Sequence, residues 1–438
     1  MSFIRPHSLY FSRQFKPGCR RAWETFSILP MVIAQLLFAT AGAAAQTTIQ
    51  ADQFVDSAGI NVHLHYTNTL YGTNFSLIQT SLQQLGVRHL RDGIALDSWR
   101  TYDNELNLLG QAGIKGIFIA GPNQTAAQIQ TFQSLVPQSF EGVESPNEYD
   151  NSGVSNWYTV LQNEAPVIQQ AVAGQYPAPL VIGPSLVKPP SYSTLGSLAS
   201  SIGYGNIHDY KSWKNPGTPG SYGWGYSNFI SNAWALSMES YTAPIRPVIA
   251  TESGYTNATN DANRVSETVA AVYLPRLLLE QFRSGIKRTY IYELLSTGGE
   301  DFGLLHSNGT KKPAFYAVAN LLNMLSDPGS SFTPDSLAIG ITGANSNVHT
   351  MLFEKRSKVF YLAVWVELPR YDGSTGVPGT SLTVSPVPLT ITLPNPIQSA
   401  TLNQWNTAGS VTSTTLLASQ TQKFSATDEL TILELVQK

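Results

Sequence analysis

The sequence predicts an α/β protein, a (β/α)8 TIM barrel followed by a C-terminal antiparallel β-sandwich domain, and three observations carry that expectation. From about Gly59 to Asn323, short β-rich runs alternate with longer segments of helical spacing. The runs number eight, the count at which parallel βα units close on themselves. After Ser326 the pattern changes to short alternating runs separated by Gly, Pro, Ser, Thr and Asn clusters, which reads as antiparallel β.

The expected barrel strands are Ile60–Tyr66, Val87–Gly93, Ile114–Gly121, Phe140–Glu148, Leu180–Val187, Asn206–Tyr210, Pro247–Ser253 and Thr289–Leu294. Helical spacing appears at Ser76–Leu85, Tyr102–Gln111, Ala126–Leu135, Ser155–Ala173, Tyr226–Ser240, Asn263–Phe282 and Pro313–Leu325. A doubly wound open sheet is the structural alternative, but no G-x-G-x-x-G follows the first strand. Later runs such as Val348–Glu354, Val359–Trp365, Leu389–Leu393 and Leu430–Val436 supply the sandwich. The expected division is a leader over residues 1–45, a barrel over 46–325 and a β-sandwich over 326–438, with residues 46–58 available to complete the sandwich.

The leader reads as an export signal: Arg5, Arg13, Lys16, Arg20 and Arg21 precede an apolar run from Ile28 to Ala41, and Ala43-Ala44-Ala45 offers a cleavage site before Gln46. That run is shorter than the ~20 residues that span a bilayer. An uncleaved anchor is the alternative; cleavage implies a secreted protein, extracellular or periplasmic, with no membrane attachment in its mature form. Losing the leader removes five basic residues and one acidic residue, moving the formal charge from −3 to −7. No basic footprint remains for nucleic acid, and the balance suits a neutral substrate held by hydrogen bonds and stacking. The single cysteine, Cys19, lies in the leader, so the mature chain has neither disulfides nor thiol chemistry.

Charged residues ending barrel strands are catalytic candidates, because that face carries the chemistry. Two glutamates qualify. Glu148 ends the fourth run, Phe140-Glu141-Gly142-Val143-Glu144-Ser145-Pro146-Asn147-Glu148, and Glu252 ends the seventh, Pro247-Val248-Ile249-Ala250-Thr251-Glu252. Strands four and seven face each other across a barrel mouth. Glycosidic cleavage needs such a pair, one carboxylic acid to protonate the leaving oxygen and one carboxylate to attack the anomeric carbon.

Asn147-Glu148 on strand four with Glu252 on strand seven resembles the signature of clan A, the large clan of retaining (β/α)8 glycosidases, over roughly residues 57–325. The resemblance implies Glu148 as acid/base, Glu252 as nucleophile and Asn147 on the sugar 2-hydroxyl, with no cofactor. It also implies Arg91, ending strand two, as the cation that keeps the nucleophile ionised, with Arg88 competing for that role. The sequence departs from the clan on strand eight, where many members carry a Trp and this chain has Tyr290-Ile291-Tyr292-Glu293; Tyr292 would supply the stacking face.

Tyr210, ending strand six, is placed to hydrogen-bond the nucleophile, and His65 to reach sugar hydroxyls. Trp213 and Trp224, in the aromatic segment that follows strand six, are candidates for stacking on a pyranose. Glu144 is the competitor for the acid role, or else a buried acid paired with an inward Arg. Two rival classes stand beside the hydrolase: a non-catalytic carbohydrate-binding barrel, and a metal-dependent hydrolase using His63, His65 and His208.

Overall fold

The structure is a computed structural model that describes residues 45–96, 100–220, 231–297 and 299–438. Eight parallel strands form the barrel: β1 (Ala58–Asn61), β2 (His89–Gly93), β3 (Lys115–Ile119), β4 (Phe140–Glu144), β5 (Leu180–Ile182), β6 (Gly205–His208), β7 (Val248–Ser253) and β8 (Arg288–Ile291). The hydrogen-bonded order runs β5-β4-β3-β2-β1-β8-β7-β6. Between β5 and β6 the ring closes through Gly203 and Tyr204, whose amides donate to Val181 O at 2.8 and 3.1 Å. Inside the barrel, Ile117, Ile182, Ile249 and Tyr290 pack into one buried cluster, so the interior is a core and not a channel.

One helix follows each strand: α1 (Phe75–Leu85), α2 (Arg100–Gln111), α3 (Ala126–Leu135), α4 (Trp157–Ala171), α5 (Pro189–Leu195), α6 (Asn232–Glu239), α7 (Glu267–Arg283) and α8 (Pro313–Leu325). Local chemistry sets their starts. Ser266 accepts from the Val269 amide, so α7 begins at Glu267 rather than at Asn263. Ser231 caps α6 in the same way at Trp234; residues 226–230 of the expected helix lie outside the described residues. Helix α5, which helical spacing had not indicated, starts on Pro189-Pro190, where a missing amide proton costs nothing.

The C-terminal domain has strands β9 (Val348–Glu354), β10 (Val359–Val366), β11 (Val387–Thr392), β12 (Ile397–Trp405), β13 (Val411–Leu416), β14 (Thr421–Ala426) and β15 (Thr431–Gln437). One sheet runs β13-β12-β15-β10-β9 and ends on Thr48–Gln50, which pairs in parallel with β9. The opposing sheet holds Gly340–Thr342, β11 and β14.

Strand β10 shows why the sheet is buried on both faces. Phe360, Leu362, Val364 and Val366 enter the core between the sheets, while Tyr361, Ala363 and Trp365 enter the core shared with the barrel helices. The period of two therefore sends alternate residues into two different cores, which is why Val359–Val366 reads as an unbroken apolar run. Among the described residues, no helix is long and apolar enough to cross a membrane.

A buried ion pair ties the two parts together. Arg276 of α7 meets Glu367, just past β10, with Nη2 at 2.7 Å from Oε1 and Nε donating to Oε2 at 3.0 Å. The same carboxylate accepts from Trp365 Nε1 at 2.9 Å and, from the segment after β6, from Asn215 Nδ2 at 2.7 Å and the Gly217 amide at 2.8 Å. Removing one member of such a pair leaves the other charged and desolvated. We expect Arg276→Met to lower the unfolding free energy by about 3–5 kcal/mol in urea titrations, with a smaller loss for the double variant Arg276→Met/Glu367→Leu.

Candidate active site

The site sits at the C-terminal ends of the strands and is organised around Arg91 of β2. Its guanidinium has five N–H donors, and all five are engaged. Nε and Nη2 bind Glu144 at 2.6 and 2.8 Å, Nη1 binds Glu252 Oε1 at 2.7 Å and Asn61 Oδ1 at 2.8 Å, and Nη2 also binds Asn147 Oδ1 at 2.6 Å. Arg88, the competing arginine, instead makes a two-pronged pair with Asp52 at 2.6 and 2.8 Å, away from the site. Glu144 is thus the buried structural acid, tied to Arg91 and also accepting from Asn206 Nδ2 at 3.0 Å.

Glu252 points into the mouth because β7 carries a bulge. Pairing with β6 steps from Ala250 to Glu252, and pairing with β8 steps from Ala250 to Ser253, so both neighbours record an irregularity there. Thr251 and Glu252 both face inward as a result. Thr251 Oγ1 donates to Asn206 Oδ1 at 2.7 Å, while Glu252 takes Arg91 on one oxygen and the Tyr210 hydroxyl, at 2.7 Å, on the other. A regular strand would send these consecutive side chains to opposite faces. Burial pushes the Glu252 carboxyl up, but His208, Arg91 and Tyr210 outweigh it and hold it below the usual value.

Glu148 is not on strand four. β4 ends at Glu144, because Pro146 has no amide to continue the ladder; Ser145 donates the last such bond, to Ile182 O at 3.0 Å. Glu148 lies four residues further on, at the left-handed φ of 45°, with its amide donating to Ser185 Oγ at 3.1 Å. Its side chain meets His208 Nδ1 at 2.6 Å. His208, on β6, stands between the two acids, its Nδ1 at 3.5 Å from Glu252 Oε2 and its Nε2 at 3.2 Å from Thr251 Oγ1. Burial lowers the His208 pKa, but Glu252 and Glu148 more than reverse this and leave it raised. One oxygen of Glu148, one of Glu252 and a ring nitrogen of His208 lie within 4.8 Å of one another.

Two lobes meet at this pair. One, of about 290 Å³, is lined by Glu148, Tyr210, Asp261, Asn263, Glu300 and Phe302; the other, of about 400 Å³, by His63, His65, Tyr66, Arg91, Asp92 and Tyr149. Asn147, Glu252 and Tyr292 line both. Tyr292 sits edge-on to Phe302 and to Tyr210, with ring centroids 5.6 and 6.5 Å apart, forming an aromatic wall.

Other expected site residues fall elsewhere. Trp213 does not line either lobe: it packs on Gly373 of the C-terminal domain, where a Cβ would come within 2.3 Å of its ring, and Lys214 Nζ sits 3.9 Å over it. Trp224 lies outside the described residues. The three histidines of the metal alternative do not converge. His63 and His65 come together with Asp92, one ligand atom of each within 4.8 Å of the others, while His208 belongs to the carboxylate pair; His63 also lies 3.2 Å from Glu293, and His65 binds Asp92 at 2.6 Å. The bridging role of His208 is the site feature that the sequence reading missed, although its spacing from Tyr210 on one strand face would have revealed it. Asp261, Glu300 and Phe302 lie on loops without a motif, and Asn263, which helical spacing placed at the start of a helix, lies on the loop before α7.

Fold and site together define a (β/α)8 barrel protein with a paired carboxylate centre in an open cleft. No protein-family model matches the chain, and neither does any curated protein. Solved structures similar to it include an endo-β1,6-glucanase at 9% identity, covering 90% of this chain and 93% of that one, with TM-score 0.49. A maltogenic α-amylase from Thermotoga neapolitana matches at 9% identity over 88% of this chain and 100% of that one, with TM-score 0.42. The catalytic domain of CelCCA matches at 14% identity over 64% and 95%, with TM-score 0.41.

The raised His208 pKa makes a stability test. A group raised above its ordinary 6.5 contributes stability that is fully present below that value and lost as pH rises through the folded-state value. The difference in unfolding free energy between the native protein and His208→Gln should therefore be largest below about pH 6.5 and shrink above it. Denaturant titrations across pH would show this; a difference that stays constant would mean His208 is not charged between the acids.

Proposed function

We propose that the chain is a retaining glycoside hydrolase cleaving O-glycosidic bonds of a β-glycoside or polysaccharide, with Glu148 as acid/base and Glu252 as nucleophile. The observation that carries this reading is that one oxygen of each carboxylate approaches within 4.8 Å of the other at the meeting point of two lobes. Double displacement works at a separation of about 5–5.5 Å, whereas inversion needs roughly 6.5–9.5 Å to admit a water between acid and base.

In this mechanism Glu252, kept ionised by Arg91, His208 and Tyr210, attacks the anomeric carbon while Glu148 protonates the departing oxygen. His208, 2.6 Å from Glu148 Oε1, orients the carboxyl that delivers this proton. Glu148 then deprotonates the water that releases the sugar from Glu252. Asn147 has its carbonyl held by Arg91 and offers its amide protons to the sugar 2-hydroxyl, a bond that strengthens in the transition state. Tyr292 supplies the stacking face and His65, oriented by Asp92, a hydroxyl contact. Export with cleavage after Ala45 belongs to the same proposal; the mass of the protein recovered from outside the cytoplasm would test it.

Glu252→Ala should abolish release of reducing sugar from a panel of aryl glycosides and polysaccharides, and added azide should restore turnover as the glycosyl azide of inverted configuration. Glu148→Ala should lose about 10²–10⁴ in kcat on substrates with poor leaving groups and far less on activated aryl glycosides. Retained activity in Glu252→Ala would remove the nucleophile assignment. Tyr210→Phe takes a hydrogen bond from the nucleophile, so its carboxyl should rise and the acid limb of kcat/KM move to higher pH by about one unit; no movement would separate Tyr210 from the chemistry.

A further inference from the structure

We propose that the cleft selects glycans without negative charge, and that Asp261 and Glu300 are specificity-determining residues that favour a neutral or protonated amino sugar over a uronic acid. This rests on the glycosidase reading of the same site. Four carboxylates, Glu148, Glu252, Asp261 and Glu300, line one lobe, and no lysine or arginine is among its described lining residues. The other lobe has one arginine, Arg91, whose five donors are already engaged by Asn61, Glu144, Asn147 and Glu252.

In that second lobe burial pushes the His65 pKa down, but Asp92, bound at Nδ1, outweighs this and leaves it raised, and His63 lies 3.2 Å from Glu293. A uronate entering the lobe of Asp261 and Glu300 would therefore meet no cation among its described lining residues, and it would approach fixed carboxylates. Desolvating a carboxylate without a partner is costly, and like charges add to that cost. The acids also differ in how they are balanced. Glu252 is held by Arg91, His208 and Tyr210, and Glu148 by His208. Asp261 accepts only neutral donors among the described contacts, the amide and side chain of Asn263 at 2.7 and 3.2 Å, and Glu300 is exposed at the rim. Partial burial first, and then the neighbouring Glu293, Glu252, Asp261 and Glu148, raise the Glu300 pKa, in keeping with this clustering of carboxylates. The aromatic wall of Tyr210, Tyr292 and Phe302 is uncharged and receives a sugar face of any of these types.

The test is binding to the protein carrying Glu252→Gln, by calorimetry at low salt and pH 7, of matched sugars in gluco, galacto and manno configuration, each as the neutral β-glycoside, its amino analogue and its uronide. In the configuration that binds, the uronide should be weaker than the neutral sugar by about tenfold, as expected for two partly exposed charge contacts, and the amino sugar at least as tight as the neutral one. Adding Asp261→Asn and Glu300→Gln should raise the ratio of uronide to neutral affinity by about fivefold. Salt near 1 M should narrow the same ratio without any substitution, which keeps the test open should the variant fold poorly. A uronide bound as tightly as its neutral counterpart, a ratio unmoved by both substitution and salt, or no binding by any of the sugars would overturn the proposal. Sugars that bind in the expected order yet are never hydrolysed would instead count against the glycosidase reading alone.

Discussion

The five hydrogen bonds of Arg91 are the constraint on which the mouth of the barrel depends. A guanidinium presents its donors in a rigid plane, so accepting groups must come to it from fixed directions. Here they arrive from four elements: Asn61 from β1, Glu144 from β4, Asn147 from the segment beyond β4 and Glu252 from β7. One buried cation thereby fixes the relative positions of both sides of the barrel. It balances the permanently buried Glu144 and leaves Glu252 ionised against the cost of burial. His208, its pKa raised by the two acids, lies against the other oxygen of Glu252 and the facing Glu148 and joins them across a small space.

That arrangement is held from outside as well. Beyond His208 the chain alternates: Asp209 turns away from the mouth to take Lys211 and Gln281, while Tyr210 turns back to Glu252. Five and seven residues beyond Tyr210, Asn215 and Gly217 reach the C-terminal domain, where both donate to Glu367. Glu367 also holds Arg276 on α7, the helix that follows the strand bearing Glu252. The sandwich is thus continuous with the scaffold of the site. Trp213, an aromatic in the loop nearest that junction, packs on Gly373 and contributes to the joint rather than to the cleft.

Much of the fold was legible because its signals are periodic. Eight β-rich runs separated by helical spacing gave the barrel, and the change after Ser326 gave the sandwich. Boundaries moved where single residues overrode the pattern: Ser266 set the start of α7, and Pro146 ended β4 before Asn147 and Glu148. The candidate acids, Arg91, Tyr210, Tyr292 and His65 all reach the cleft, since each was read from a position at or just past a strand end. Trp213 did not, because an aromatic residue in a loop carries no information about which of two surfaces its ring will meet.

The sequence by itself determined the architecture and the identity of the paired glutamates, because strand count, apolar period and charged strand ends are properties of order along the chain. Only the tertiary structure decided how far apart the acids stand, which arginine serves them and which histidine lies between them. The reason is geometric. The bulge at Thr251–Glu252 turns two consecutive side chains inward, and the left-handed turn at Glu148 brings back a residue that has already left its strand. Pro146 marks where the strand must end, but neither the bulge nor the direction of the turn has a signature in residue order, since both arise from how neighbouring strands leave the backbone to pair.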